Sequence, residues 1–154
     1  MIVLRLFSLR SKAPDIIDLG DNIVLKKADF GVIAKLFRLI KYFRKQQDRG
    51  VIYEAFMGNN NIGFIQIHEE SKEEINIPWL FVDHKYRGRG IATKMMRQMI
   101  KYSAESGYKR VTLEVPGNSP DAYHIYEKLG FKVTGKSTDK DNIWGGITYM
   151  ELKL

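Results

Sequence analysis

A turn rich in glycine and arginine carries the clearest chemical signal in the sequence. It reads Arg87-Gly88-Arg89-Gly90-Ile91-Ala92 and lies between an apolar run and a segment whose apolar residues have helical spacing. Glycine lets the backbone approach a ligand, and the first N–H groups of a helix have no partner within that helix. Taken alone, the turn is therefore either an anion site, such as one for phosphate, or a plain connection between a strand and a helix. It lacks the Gly-Lys-Ser/Thr ending of an NTP-binding loop and the three-glycine dinucleotide fingerprint, so both classes are disfavoured.

A single carboxylate stands inside an apolar strand further along the chain. In the run VTLEV at residues 111 to 115, the two-residue period of a strand puts the three apolar side chains on one face. Thr112 and Glu114 share the other face. Glu114 is therefore either a solvated strand residue paired with a lysine or a group that takes part in proton transfer.

The periodicity and the turn signals predict an α/β fold, a mixed sheet flanked by helices. The predicted elements are a strand at residues 22–26, a helix at 32–47, strands at 52–56, 62–67 and 75–82, a helix at 90–106, a strand at 111–115, a helix at 119–129, and strands at 131–133 and 147–152. Gly58-Asn59-Asn60-Asn61 predicts a hairpin turn. Pro78 cannot donate a ladder hydrogen bond, which predicts a bulge or a separation of strands there. Residues 1–21 are either an added strand or a loose arm, and residues 22–154 are one domain.

Composition limits the classes of protein. The chain has 154 residues, 25 Lys+Arg, 18 Asp+Glu and no cysteine, which excludes disulfide scaffolds, cysteine zinc sites and cysteine nucleophiles. No apolar run approaches the roughly 20 residues of a membrane-spanning helix, so a cytoplasmic location is expected. His68, His84 and His124 lack ligand spacing, and no metal is expected. The net charge of +7 suggests an anionic partner.

Two blocks of sequence resemble one family. The pattern Arg87-x-x-Gly90-x-Ala92, after the strand Leu80-Phe81-Val82, resembles the acetyl-CoA pyrophosphate loop of the GNAT superfamily of N-acetyltransferases. The run VTLEVPGNSPDAYHIYEKLGF, at residues 111–131, is similar to that family's strand, loop and helix segment, in particular in the ribosomal-protein N-terminal acetyltransferase branch. The resemblance implies a GNAT-like acyl-CoA N-acyltransferase fold and acetyl-CoA as co-substrate.

The resemblance also implies which residues hold the cofactor. Backbone groups of Leu80, Phe81 and Val82 are expected to bind the pantetheine amides. The pyrophosphate is expected at Arg87, Gly88, Arg89, Gly90, Ile91, Ala92 and Thr93. Arg89 and Lys94 are expected near the ribose phosphate. Ser119 has the spacing of the family's usual Asn, whereas Asn118 stands one residue early, so either is expected to contact the cofactor, and Ser119 also suits the N-cap of the helix.

Acetyl transfer to an amine requires a base and benefits from an acid. An alkylamine with a pKa of about 10.4 is protonated near neutrality, so a base must take a proton before attack. The resemblance implies that Glu114 does so through water. It also implies that Tyr126 is the acid that assists departure of the CoA thiolate; the alternative is a half-buried tyrosine with a structural role. Other candidates for the base are Glu54, Glu69 and Asn76.

The predicted reaction is direct attack by a primary amine on acetyl-CoA in a ternary complex, with a small molecule or a peptide as acceptor. The acceptor pocket is expected at the first helix, the loop after it and the glutamate-rich residues 69–74, which favour a cationic acceptor. One alternative is action on aminoacyl-tRNA, or a nucleic-acid-binding module using Lys35, Arg38, Lys41 and Lys45. A non-catalytic acyl-CoA sensor is another. A homodimer stays open, and no membrane partner is expected.

Overall fold

A computed structural model describes residues 13–28, 50–138 and 143–154. These ranges contain eight strands: β1 (Ile16–Gly20), β2 (Ile23–Lys27), β3 (Gly50–Met57), β4 (Asn60–Glu69), β5 (Glu74–Val82), β6 (Arg110–Pro116), β7 (Lys132–Ser137) and β8 (Ile147–Lys153). They also contain two α-helices, α1 (Ile91–Glu105) and α2 (Pro120–Lys128), and a 3-10 helix at His84–Tyr86. The strands form one mixed sheet in the order β1-β2-β3-β4-β5-β6-β8-β7. The predicted fold class is thereby confirmed.

The described residues divide into two compact units, and the first contains residues 13–28, residues 50–69 and Trp79–Ala92. Its strands β1 to β4 are joined in sequence as antiparallel neighbours. The predicted hairpin joins β3 to β4, and Gly58 has a φ of 59°, which glycine adopts without strain. The loop is shorter than predicted because Asn60 and Asn61 pair with Met57 and Phe56 of β3.

The second unit contains Glu70–Pro78 and Thr93–Leu154. The first part of β5 runs parallel to β6, and their pairing joins Glu74 with Arg110 and continues to Ile77 with Leu113. The paired register ends directly before Pro78, where the sequence predicts a bulge or a separation of strands. Strand β6 continues to Pro116 with β8 as its antiparallel neighbour.

Helix α1 packs into the core through three methionines. Met95, Met96 and Met99 have no exposed surface. At its end, Gly107 has a φ of 87°, and the N–H of Tyr108 donates to the carbonyl of Ser103 at 3.1 Å. This closing turn is a Schellman motif, in which Gly107 adopts the positive φ without strain.

Some elements differ from the prediction in their bounds, and others lie outside the described residues. Strand β7 extends to Ser137, beyond the predicted residue 133, because its later residues pair with β8 although they are polar and contain Gly135. Strand β1 lies within residues 1–21. The predicted helix at residues 32–47 lies outside the described residues, as do the four basic residues of its proposed polar face. In the described part of the chain, no helix has the length and apolar character required to cross a membrane.

Candidate active site

The glycine-rich turn lies in the first unit and presents unused backbone donors. After β5, the side chain of Asp83 accepts a hydrogen bond from the N–H of Lys85 at 2.9 Å and so begins the 3-10 helix. Gly88 and Gly90 follow with φ values of 74° and 73°. Within the described ranges, the backbone N–H groups of residues 88 to 93 form no hydrogen bond. Such a run of donors where a helix begins is suited to an anion.

The side chain of Arg87 braces this turn against the end of β5. Its Nε–H donates to the carbonyl oxygen of Val82 at 2.8 Å. Its guanidinium carbon lies 5.8 Å from the centre of the Phe81 ring, within the range of a cation–π contact. The side chain of Arg89 instead lies over the ring of Tyr86, at 5.5 Å, and Arg89 is exposed. Arg87 therefore supports the turn, whereas Arg89 is a cation available near it.

The backbone N–H and C=O groups of successive residues at the end of β5 point alternately to the two sides of the strand. The N–H of Asp83 donates to the carbonyl of Ile62 on β4 at 2.8 Å, and the carbonyl of Phe81 lies against Gly63 on the same strand. Successive backbone groups of an extended strand point in opposite directions. The groups of Leu80 and Val82 therefore point away from β4. Of the three residues expected to bind pantetheine through their backbone, Leu80 and Val82 have groups that point away from β4. The carbonyl of Phe81 faces β4.

Glu114 lies on the exposed face of β6 in the second unit. The apolar residues of that strand are buried on the other face, as their alternation predicts. Tyr149 of β8 is directly opposite Glu114, and the cross-strand pair shares one face. Glu114 forms no hydrogen bond or ion pair with any residue that the structure describes. In the described ranges Glu114 therefore has no lysine partner, which the alternative role of a paired strand glutamate requires. Its carboxylate is exposed to solvent.

Tyr126 is the buried residue of helix α2. Its side chain is 9% exposed and its ring lies against Phe131, with ring centres 5.9 Å apart. The hydroxyl has no hydrogen-bond partner among the residues described. Because no side-chain oxygen in these ranges is both fully buried and unpaired, this oxygen atom must have some exposed surface. The ring is therefore enclosed while the hydroxyl reaches solvent. No hydrogen bond joins Tyr126 to Glu114.

Burial raises the pKa of Tyr126 to about 12, because the ionised form loses hydration. The proton therefore stays on this hydroxyl throughout the neutral range. Below pH 10 the phenol is protonated in both the folded and the unfolded protein, and the fold keeps its full stability. As the pH rises from the unfolded pKa toward the folded pKa, the unfolded chain ionises more readily and this stability is lost.

We therefore expect the wild-type protein to lose more stability in alkali than Tyr126→Phe. Relative to this variant, its free energy of unfolding should fall by about 1 kcal/mol between pH 9 and 11, because only the wild type must ionise the buried phenol. Urea unfolding of both proteins at several pH values measures the difference. Parallel stability profiles would show that the phenol ionises as readily in the folded protein as in the unfolded chain.

The loop between β6 and α2 is held by backbone contacts with the residues before β8. The N–H of Gly117 donates to the carbonyl of Gly146 at 2.9 Å, and that of Asn118 donates to the carbonyl of Trp144 at 3.2 Å. A side chain at position 117 would collide with the carbonyl of Gly145. Ser119 is the N-cap residue as predicted, but its side chain makes no capping hydrogen bond, contrary to the structural role expected of it. Its hydroxyl lies 3.5 Å from the Asn118 side-chain oxygen.

The glutamate-rich connection lies away from the end of β6 that carries Glu114. The carbonyl of Glu73 accepts from the N–H groups of Lys109 and Arg110, and the Glu74 carboxylate pairs with the Arg110 guanidinium at 2.8 Å. Glu114 comes four positions later on β6, about 13 Å along the strand. Glu73 and Glu74, which belong to the connection expected to help build the acceptor pocket, are therefore separated from Glu114 along β6. In the parallel register, both lie where β6 begins.

The other side chains considered for the base have local partners. Glu54 accepts a hydrogen bond from the side chain of Asn61 at 3.0 Å, and the Asn76 amide donates to Thr112. Gln66 and His68 form an unpredicted buried pair on β4, and their side-chain nitrogens are 2.7 Å apart. The sequence signal for this pair is its spacing, because residues two positions apart on a strand share one face. His84 and His124 are exposed.

Comparison with known proteins identifies the family. Residues 25–131 match the model of the Acetyltransferase (GNAT) family. This match covers more than half of the chain, and the chain therefore belongs to this family. The family resemblance of the two sequence blocks is confirmed.

The individual relatives match shorter segments. Human N-acetyltransferase 8B is 38% identical over 58 residues, which are 38% of this chain and 26% of that protein. Arabidopsis thaliana N-alpha-acetyltransferase MAK3 is 44% identical over 55 residues, 36% of this chain and 29% of that protein. The chain thus spans less than a third of the length of these two relatives. A GNAT family acetyltransferase from Elizabethkingia anophelis, solved with acetyl-CoA bound, has the same fold; its TM-score is 0.74, with 20% identity over 88% of this chain and 100% of that one.

Proposed function

We propose that the protein transfers an acetyl group from acetyl-CoA to a primary amine by direct attack in a ternary complex. The observation that carries this proposal is the unpartnered run of N–H groups at residues 88 to 93, in a chain of the GNAT family. The amine nitrogen attacks the thioester carbonyl, the carbon–sulfur bond breaks, and CoA leaves as a thiolate that gains a proton. Acetyl-CoA is a co-substrate, and the reaction as proposed requires no metal.

The end of β5 and the glycine-rich turn after it supply the main cofactor contacts. We assign the pyrophosphate to the free N–H groups of residues 88 to 93, with Arg89 as an exposed cation beside them. The backbone groups of Leu80 and Val82 that point away from β4 are assigned to pantetheine. The Val82 carbonyl already accepts from Arg87, so its second lone pair is the one available. Lys94, Asn118 and Ser119 remain further proposals for contacts with the cofactor.

We expect Gly90→Ala to raise the dissociation constant of acetyl-CoA about tenfold, because a residue with a Cβ resists the positive φ that aims these donors. Isothermal titration calorimetry measures this change. Gly107→Ala is the matched control, since Gly107 also has a positive φ and open space around its missing Cβ, at the other end of the same helix. It should lose similar stability and keep wild-type affinity. Unchanged affinity in Gly90→Ala would remove the turn from the binding site.

The second unit supplies the proton-transfer groups. Glu114 is an exposed carboxylate with no ion pair in the described ranges, so it is able to accept a proton from the amine through water. Tyr126 keeps its proton and presents a solvent-accessible hydroxyl. A thiol has a pKa of about 8.5, well below that of this phenol. We therefore assign Tyr126 to a hydrogen bond that stabilises the developing thiolate, followed by proton transfer from the hydroxyl or from water.

Two exposed aromatic side chains, one opposite Glu114 and one beside the loop that follows β6, favour an acceptor that carries an apolar group near its amine. Tyr149, directly across from Glu114, is 39% exposed, and Trp144, whose carbonyl anchors the loop after β6, is also 39% exposed. Glu74, one of the acidic residues expected to favour a cationic acceptor, is paired with Arg110. We therefore propose a peptide amino group as the acceptor, ahead of a polyamine. The N-alpha-acetyltransferase name of the Arabidopsis relative agrees with this choice.

A thiol-release assay with acetyl-CoA tests the function across peptides with an apolar first residue, polyamines, aminoglycosides and aminoacyl-tRNA. The proposal expects the highest kcat/KM with the peptides. Preference for aminoacyl-tRNA would support the nucleic-acid alternative. Saturable acetyl-CoA binding without turnover on any amine would support an acyl-CoA sensor.

A further inference from the structure

Helix α2 ends in a turn that returns the chain onto Tyr126. Gly130 has a φ of 95°, and its N–H donates to the carbonyl of Glu127 at 3.0 Å. The N–H of Phe131 donates to the carbonyl of Tyr126, also at 3.0 Å. These two bonds form a Schellman motif in which Tyr126 and Phe131 are the residues joined by the longer bond. A glycine at position 130 gives the reversal without backbone strain.

The side chains of the same two residues are also in contact. Their ring centres are 5.9 Å apart, and the ring planes meet at 59°. Phe131 is 2% exposed, so its ring is fixed by the core on its other sides. Tyr126 is thus held by Phe131 twice, once through its carbonyl and once through its ring. Its hydroxyl is the part of the side chain that reaches solvent.

We propose that Phe131 is a positioning residue for the Tyr126 hydroxyl in acetyl transfer; the inference rests on the acid role proposed for Tyr126. The hydroxyl lies at the far end of a rigid ring, so a change in the tilt of that ring moves the donor away from the leaving sulfur. Hydrogen bonds to a developing charge lose most of their value when the donor is misplaced. The core contact therefore supports the geometry of the reaction as well as the fold.

The test separates positioning from stability with a variant of similar volume. Phe131→Met keeps a long apolar side chain in the core but removes the flat ring. We expect kcat to fall about tenfold, while the KM for acetyl-CoA changes little, because the loss concerns the reacting geometry. Val111→Ala is the control, since it creates a defect at another fully buried residue of the second unit. It should lower the melting temperature and leave kcat unchanged.

The decisive comparison is the double variant Phe131→Met with Tyr126→Phe. If Phe131 acts through the Tyr126 hydroxyl, it should lower kcat in the wild type and have no further effect when that hydroxyl is absent. Melting curves of all variants establish that they fold, and Phe131→Leu gives the same comparison should Phe131→Met unfold. Full kcat in the single Phe131 variant, or losses that multiply in the double variant, would overturn the inference and leave the acid role intact. Full activity of Tyr126→Phe alone would instead refute the acid role itself.

Discussion

Replacing Tyr126 by phenylalanine is expected to lower kcat about 100-fold while acetyl-CoA binds as in the wild type, since the loss of a positioned proton donor commonly has this size. The substitution removes one oxygen from a ring that is otherwise enclosed. That oxygen has no hydrogen-bond partner among the described residues, so the fold loses no bond with it. Steady-state kinetics on the best amine, with calorimetric titration of acetyl-CoA, measures both quantities.

Tyr123→Phe is the matched control, because Tyr123 lies on the same helix and its ring contacts His124. It removes a hydroxyl from α2 without removing the one assigned to the thiolate, and its kcat should match the wild type. Full activity in Tyr126→Phe would mean that CoA leaves without assistance from this residue. Equal losses in both variants would indicate that α2 tolerates no loss of a hydroxyl, and the assignment would then lack support.

Replacing Glu114 by glutamine is expected to lower kcat/KM about tenfold at pH 7, because a peptide amino group with a pKa of about 8 is mostly protonated there and needs a base. The size of the loss should depend on pH. As the pH rises toward the pKa of the amine, more of the acceptor is already unprotonated, and the variant should approach the wild type. The ratio of the two kcat/KM values, measured from pH 7 to 10 on one amine, gives this trend.

Glu151→Gln provides the control for a general effect of charge. Glu151 lies on the neighbouring strand β8, opposite Thr112, and its carboxylate is 3.8 Å from the Arg110 guanidinium. It therefore belongs to the same sheet face as Glu114 but has a cationic neighbour. Its loss should change kcat/KM little at any pH. A constant deficit for Glu114→Gln across the pH range would assign Glu114 to acceptor binding instead of proton transfer.

Local signals in the sequence predicted the parts of the fold that depend on local chemistry. The ends of the two described helices lie close to the predicted ones, and Gly107 and Gly130 follow them with a positive φ, which is a property of the residue and its immediate neighbours. The alternation around Glu114 correctly predicted which face of β6 is buried. The ladder likewise ends before Pro78, since proline lacks the N–H that a strand neighbour requires.

Features that depend on register or on side-chain direction were not available from the sequence. The position of Glu73 and Glu74 follows from the parallel pairing of β5 with β6, which no local pattern specifies. The composition also does not reveal that Arg87 turns back onto Val82. Ser119 occupies the N-cap with a side chain directed elsewhere, because residue type indicates a preference and not a rotamer.

The central claim, acetyl transfer to an amine, is tested most directly by mass spectrometry of the acceptor. A peptide with an apolar first residue is incubated with the protein and acetyl-CoA, and the mass of the peptide is followed together with the amount of free CoA. We predict a gain of one acetyl group on the amino terminus, with one CoA released for each peptide modified. Release of CoA without any acetylated amine, or binding of acetyl-CoA with neither product, would contradict the proposed function.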